Sequence, residues 1–306
     1  MPFGSYTVPT SVVSRLVDNV VSQGSVLNLT DNAPCSNCSY SVEFYGPTLQ
    51  SNQLPTSTTA WIAKLAYNLS STATFTNYQQ GGFDAKPLYA AFVPSSIDDN
   101  ANLTANMIEG LNDLYTKNYP LTSLLDEAST DYQKLFIYHV NGNTSSTLQC
   151  GLYNASYKVD FNLNNGAQSV SLRNITYLNG VTYMETSPYI LLYCYQQQKY
   201  CGTETTNSIP TASYTTSVLN NAAYQAMMNA LNTIFVGHID NLSINLGALV
   251  TNTRVLSSSL STTPELQPLS SLFGGSNSTS NTSLSQAIEE LSHSITISLF
   301  SSPKFL

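Results

Sequence analysis

From Lys134 to Tyr195 the chain reads as a succession of strands, with apolar side chains at every second position over Leu148–Leu152 and Tyr157–Leu163, and this constrains the fold more than any other feature of the chain. Successive side chains of a strand point to opposite faces, so a period of two marks a sheet with one face buried. Lys134–Val140 (KLFIYHV) reads as a buried strand, Leu148, Cys150 and Leu152 alternate, and Tyr157, Val159, Phe161 and Leu163 continue the period. Asn164-Asn165-Gly166 is a hairpin signal, because Asn-Gly tolerates the positive φ of a tight turn. Val170 and Leu172 then run back, followed by Asn174–Leu178, and Asn179-Gly180 offers a second turn into Val181–Met184 and a last strand at Tyr189–Tyr195. The pattern predicts an antiparallel meander over roughly residues 134–195.

Helical periods flank it. Val12, Val13, Leu16, Val17, Val20 and Val21 recur at i, i+3/i+4 and stop at Gly24, although six valines and leucines of this kind would also suit a strand. Trp61, Ile62, Leu65 and Leu69 form one face over Thr58–Leu69, and Met107, Ile108, Leu111 and Leu114 another over Asn102–Lys117. Shorter strands are expected at Ser39–Tyr45, closed by Gly46-Pro47, and at Leu88–Val93. Ala212–Val236 is helical and alanine-rich, with Gly237 as its stop. Residues 257–282 have no apolar period and read as a flexible Ser/Thr-rich linker. A capping box at Ser283 to Gln286 then opens a helix at 284–301, with Leu284, Ile288, Leu291, Ile295 and Leu299 inward. The class predicted is α+β: a twisted antiparallel sheet packed on amphipathic helices, one domain over residues 1–306.

Charged residues make up 9% of the 306, against about a quarter in an ordinary globular chain. Hydroxyls, amides and 20 tyrosines take over the polar surface. Net charge is −8 and the ten basic residues do not cluster, so nothing could neutralise a nucleic-acid backbone or dock on an anionic bilayer. No run reaches 18 apolar residues, and Met1–Ser5 lacks the basic start of a signal peptide. Membrane attachment is therefore expected only through a segment outside this sequence.

Ten N-x-S/T sequons begin at Asn28, Asn37, Asn68, Asn102, Asn143, Asn154, Asn174, Asn241, Asn277 and Asn281. A chain with 30 asparagines and 75 serines and threonines carries about seven by chance, so placement decides their meaning. Asn277 and Asn281 fall in GGSNSTSNTS and Asn143 in NGNTSS, turn-like runs that favour exposure. These ten are candidate N-glycosylation sites, and the chain reads as secretory-pathway material, a glycoprotein at the extracellular face of the plasma membrane or secreted.

Five cysteines leave one unpaired in an oxidising compartment. Bridges are expected at Cys35–Cys38 and Cys194–Cys201, with Cys150 buried or exchanged into one of them. Zinc at Cys35-x-x-Cys38 lacks a second close pair of ligands. His139 and His293 read as structural and solvated positions respectively. His238-Ile239-Asp240 could orient an imidazole, yet no G-x-S-x-G elbow accompanies it. Of the carboxylate pairs, Asp98-Asp99, Asp126-Glu127 and Glu289-Glu290 diverge by about 100° per helical step, which leaves long-range pairs such as Glu43 with Asp160 or Glu185. No phosphate-cradling loop or calcium loop occurs, so no catalytic residue, cofactor or metal is assigned.

APCSNCSYSVEFYGP at 33–47, LQCGLYNASYKVDFNLNNGAQSV at 148–170 and LSQAIEELSHSITISLFSSPKFL at 284–306 resemble the extracellular region of uncharacterised multi-pass membrane proteins of filamentous ascomycete fungi. The resemblance implies a glycosylated ectodomain held between transmembrane helices and carries no activity with it. It also implies a further cysteine where this chain has Ser51. The function expected is a non-catalytic, structural or recognition ectodomain at the fungal cell surface, with a cell-wall polysaccharide or a protein as ligand. The alternative is a secreted cell-wall-acting glycoside hydrolase or carbohydrate-binding protein.

Overall fold

The computed structural model describes residues 9–27, 35–60, 62–63, 66, 85–93, 134–165, 167–181, 212–242, 248–275 and 279–301. The strands are β1 (Asn37–Gln53), β2 (Ala85–Phe92), β3 (Lys134–Asn141), β4 (Thr144–Asn164), β5 (Ala167–Gly180), β6 (Gly237–Leu242) and β7 (Ala248–Thr251). The helices include α1 (Ser11–Gln23), α2 (Ala212–Phe235), α3 (Gln267–Leu272) and α4 (Leu284–Ser301), and residues 56–60, 62–63 and 66 are helical as well. Among the described residues all strand pairings are antiparallel, in the order β1-β4-β3-β2-β6-β7, with β5 also on β4. The protein is α+β, as the periodicity predicts. The strand at Tyr189–Tyr195 and the helix at Asn102–Lys117 lie outside the described residues.

β4 organises the sheet. It is 21 residues long, and β3 and β5 follow one another along the side that β1 does not occupy. Both of its hairpins close through positive φ: Gly142 at 59° and Asn165 at 52°. Along β4 the buried set changes phase. Leu148, Cys150 and Leu152 belong to one core, whereas Ala155, Tyr157, Val159 and Phe161 belong to another. The β1–β4 register runs from Asn37↔Asn164 to Gln53↔Leu148 without a shift. The strand therefore does not slip; its buried face changes, since even and odd positions lie on opposite faces.

The first core holds Leu49, Tyr89, Leu135, Ile137, Cys150 and Leu152 under α1, α2 and α4, with Leu16, Val20, Met227, Leu231, Ile288 and Leu291 facing them. A second joins Ala90, Phe92, Phe136 and Tyr138 to Ile62 and Ala66. The third lines the distal arm of β1, β4 and β5, where Phe44, Tyr157, Val159 and Phe161 meet Ile297 and Phe300. Helix α4 thus begins in the first core and ends in the third, passing over the edge of β1. Val13 N donates to the Thr10 hydroxyl at the start of α1, and Gly24, at φ 68°, ends it.

Four expectations need correction. β1 does not stop at Gly46-Pro47. Leu49 N and Ser51 N donate to α4, so odd residues of this stretch face outward, and the missing N–H of Pro47 costs the ladder nothing. The linker expected at 257–282 is folded over its first part. Turns at Val255–Ser257 and Ser259–Thr262, then α3, bury Val255, Leu260, Leu266 and Leu269. Hydroxyls such as Ser258, which accepts from Leu260 N, supply local caps that replace a regular period. The capping box is half made: Gln286 N donates to Ser283 Oγ, but the Gln286 amide turns to Glu290, and Glu265 accepts from Leu284 N instead. Gly237 opens β6, a strand the sequence reading lacks: Ile239 enters the first core, but His238 and Asp240 on the opposite face are buried as well, so no apolar alternation marks it.

Candidate functional site

The distal arm exposes one polar face. Register places its side chains in rows across β1, β4 and β5: Tyr45, Ser156, Thr176; Glu43, Lys158, Asn174; Ser41, Asp160, Ser171; Ser39, Asn162, Ser169. These are the polar halves of the same alternation whose apolar halves fill the third core. Ser39 Oγ donates to Asn162 Oδ1 at 2.6 Å, Ser41 Oγ donates to Asp160 Oδ1, and Lys158 Nζ lies 3.3 Å from Glu43 Oε2. Arg173 is the extra residue of a bulge in β5, and its guanidinium closes on Asp160. The Ser41 hydroxyl, with Arg173 beside it, holds the Asp160 carboxyl below its ordinary value.

Those pairings leave hydroxyls, amides and the two-thirds exposed ring of Tyr45 as the face's free chemistry. Glu43 and Asp160, the long-range carboxylates of the sequence reading, do share this face in adjoining rows. Each is matched by a cation, Glu43 by Lys158 and Asp160 by Arg173. Glycosidic cleavage needs one carboxyl raised to act as acid, and Asp160 is displaced the other way. Glu289 and Glu290 diverge as expected, Glu289 to Ser51 N and Glu290 to Gln286. Asp98, Asp99, Asp126, Glu127 and Glu185 lie outside the described residues.

His238 and Asp240 are buried on β6, with His238 Nε2 3.3 Å from Asp240 Oδ2. Their register partners are Ala90, Pro87 and Val250, none of which carries a nucleophile. His293 is not solvated: its Nε2 is buried, its ring stands nearly perpendicular to that of Tyr157 with centroids 6.0 Å apart, and burial holds its pKa down at about 4. Burial also lowers His139, with Glu265 opposing. Among the described residues no group of three His, Cys, Asp or Glu could hold a metal ion, and no helix is long and apolar enough to cross a membrane.

Of the sequons, Asn37, Asn143, Asn174, Asn241 and Asn281 are exposed. Asn154 is half-buried, and its Oδ1 accepts from Tyr224 OH. Asn28, Asn68, Asn102 and Asn277 lie outside the described residues. Within one sequon, Asn174 Nδ2 donates to Thr176 Oγ1 at 3.4 Å. Cys35 and Cys38 are bridged, with Cα atoms 6.1 Å apart. Cys150 is free and buried, and burial pushes its thiol up to about 12. Cys194 and Cys201 lie outside the described residues. Comparison with family models, curated proteins and solved structures finds no match.

Proposed function

We propose that the chain is a non-catalytic, N-glycosylated extracellular domain of a fungal cell-surface protein, with a structural or recognition role. The observation that carries this reading is the setting of its sequons: five asparagines stand exposed on strands and turns of a surface wetted by neutral groups. The Cys35–Cys38 bridge suits an oxidising compartment. The polar face of the distal arm is the surface offered to a partner, a hydroxyl-rich polysaccharide or a protein, because its charges are internally matched and its free groups are hydrogen-bonding ones. The fungal setting and the tie to a plasma membrane rest on the sequence resemblance.

The test is secretion from a eukaryotic host, enzymatic deglycosylation in heavy-oxygen water and peptide mass spectrometry. Glycans are expected on Asn37, Asn143, Asn174, Asn241 and Asn281. Protein from its native source with bare asparagines and reduced Cys35 and Cys38 overturns the reading.

A further inference from the structure

Asn37 differs from the other nine sequons in holding a cysteine at its middle position, and that cysteine is bridged. All three residues of the sequon are tied in the fold. Asn37 Oδ1 accepts from Asn165 N at 2.8 Å, Cys38 is bonded to Cys35, and Ser39 Oγ donates to Asn162 Oδ1 at 2.6 Å. Glycan transfer requires the asparagine amide and the hydroxyl two residues on to reach one enzyme site together, so the chain must turn between them. A strand paired with β4 from Asn37 onward, its hydroxyl engaged, does not offer that turn. A glycan on Asn37 must therefore be added before β1 joins the sheet.

The three ties differ in when they can form. Asn162 lies 123 residues beyond Ser39, and Asn165 lies 128 beyond Asn37. At about 5–20 residues per second of synthesis, the sequon waits roughly 6–25 s for them. The bridge spans a separation of 3, and Asn37 lies inside the ring it closes. We propose that the Cys35–Cys38 bridge gates glycosylation of Asn37: chains still carrying both thiols accept the glycan, and chains that bridge first keep a bare asparagine. In the accepting branch the Asn37 amide nitrogen bonds to C1 of a lipid-diphosphate-linked oligosaccharide, C1 parts from the diphosphate, and the amide proton passes to the transferase. In the closing branch the two thiols give two electrons and two protons to the disulfide of a secretory oxidoreductase, which leaves as the dithiol. Asn37 is exposed, so a glycan already in place lets the bridge close afterwards. The inference rests on the secretory reading above and adds the control of one particular site.

The experiment expresses the full chain in a eukaryotic host and reads occupancy at each sequon by deglycosylation in heavy-oxygen water and peptide mass spectrometry. Total cellular protein is read beside the secreted fraction, so the result does not depend on later folding. Wild type is expected to leave part of Asn37 bare. Cys35→Ser removes the bridge without altering the sequon, and should at least halve the bare fraction while Asn143, Asn174 and Asn241 stay as they were. Asn162→Ala frees the Ser39 hydroxyl only after the window has closed, and should leave Asn37 unchanged. Complete occupancy of Asn37 in wild type overturns the proposal alone. So does an unchanged Cys35→Ser, an equal rise at every sequon, or a rise in Asn162→Ala. Absence of glycan at every sequon overturns the secretory reading itself.

Discussion

Leu49 N donates to Ser292 Oγ at 3.0 Å, joining the outward edge of β1 to a helix 243 residues further along the chain. It is one of a series. Ser285 Oγ donates to Ser51 O, Ser51 N donates to Glu289 Oε1, and Thr296 Oγ1 donates to Pro47 O at 2.6 Å. Ser285, Glu289, Ser292 and Thr296 form one stripe of α4, since residues three or four apart share a face. The stripe supplies to β1 the partners that a neighbouring strand would have supplied, so a sheet edge is finished by side chains rather than by backbone.

Ser292→Ala tests this directly. It leaves the Leu49 N–H buried without its acceptor and removes the contact to Thr48 Oγ1, which costs about 1–3 kcal/mol. Ser285→Ala removes a 3.4 Å contact and is expected to cost less than about 0.5 kcal/mol. Urea unfolding of both variants measures the difference, and equal effects would count against the edge role.

α4 packs closely over Gly46. A Cβ there would lie 2.5 Å from Thr296 Cγ2, so Gly46→Ala must shift the Thr296 side chain or the helix that carries it, at about 1–3 kcal/mol. Thr296→Ser removes that methyl and keeps the hydroxyl for Pro47 O. The double variant should recover most of the loss, read as a coupling energy in a mutant cycle.

Ser51 and Cys150 are directly opposed, with Ser51 Oγ 3.2 Å from Cys150 Sγ. Because Ser51 N faces outward, the two form a non-hydrogen-bonded pair, the closer kind, within the Cα range a disulfide spans. Ser51→Cys is expected to bridge to Cys150 and stabilise the fold by about 2–4 kcal/mol. Peptide mapping without reduction, with melting in the presence and absence of reductant, checks it.

Stability should fall in mild acid. His293 is neutral in the fold because burial depresses its pKa to about 4, while the unfolded chain protonates near its ordinary 6.5. Its contribution is complete above about pH 6.5 and is lost as pH falls towards 4. His139 shifts in the same direction and adds to the slope. His293→Leu should flatten the decline without abolishing it, measured as melting temperature against pH.

What the chain determined by itself was local. The alternation of β4, the Asn-Gly turn at Asn165 and the apolar stripe of α4 were legible because each depends on residues a few positions apart. The exposed sequons and the neutral polar surface were legible for the same reason. The face exchange along β4 was written in the shift from even to odd apolar positions, but its cause was not, because it needs α4 to cross the edge of β1. β6 escaped notice because Ile239 enters the first core while His238 and Asp240 on the opposite face are buried as well, so no apolar alternation marks it. Ser285, Glu289, Ser292 and Thr296 carry no signal of their role in the sequence, and only the tertiary fold sets backbone groups of β1 against them. A hydrogen bond between groups 243 residues apart leaves no period in sequence; only packing decides it.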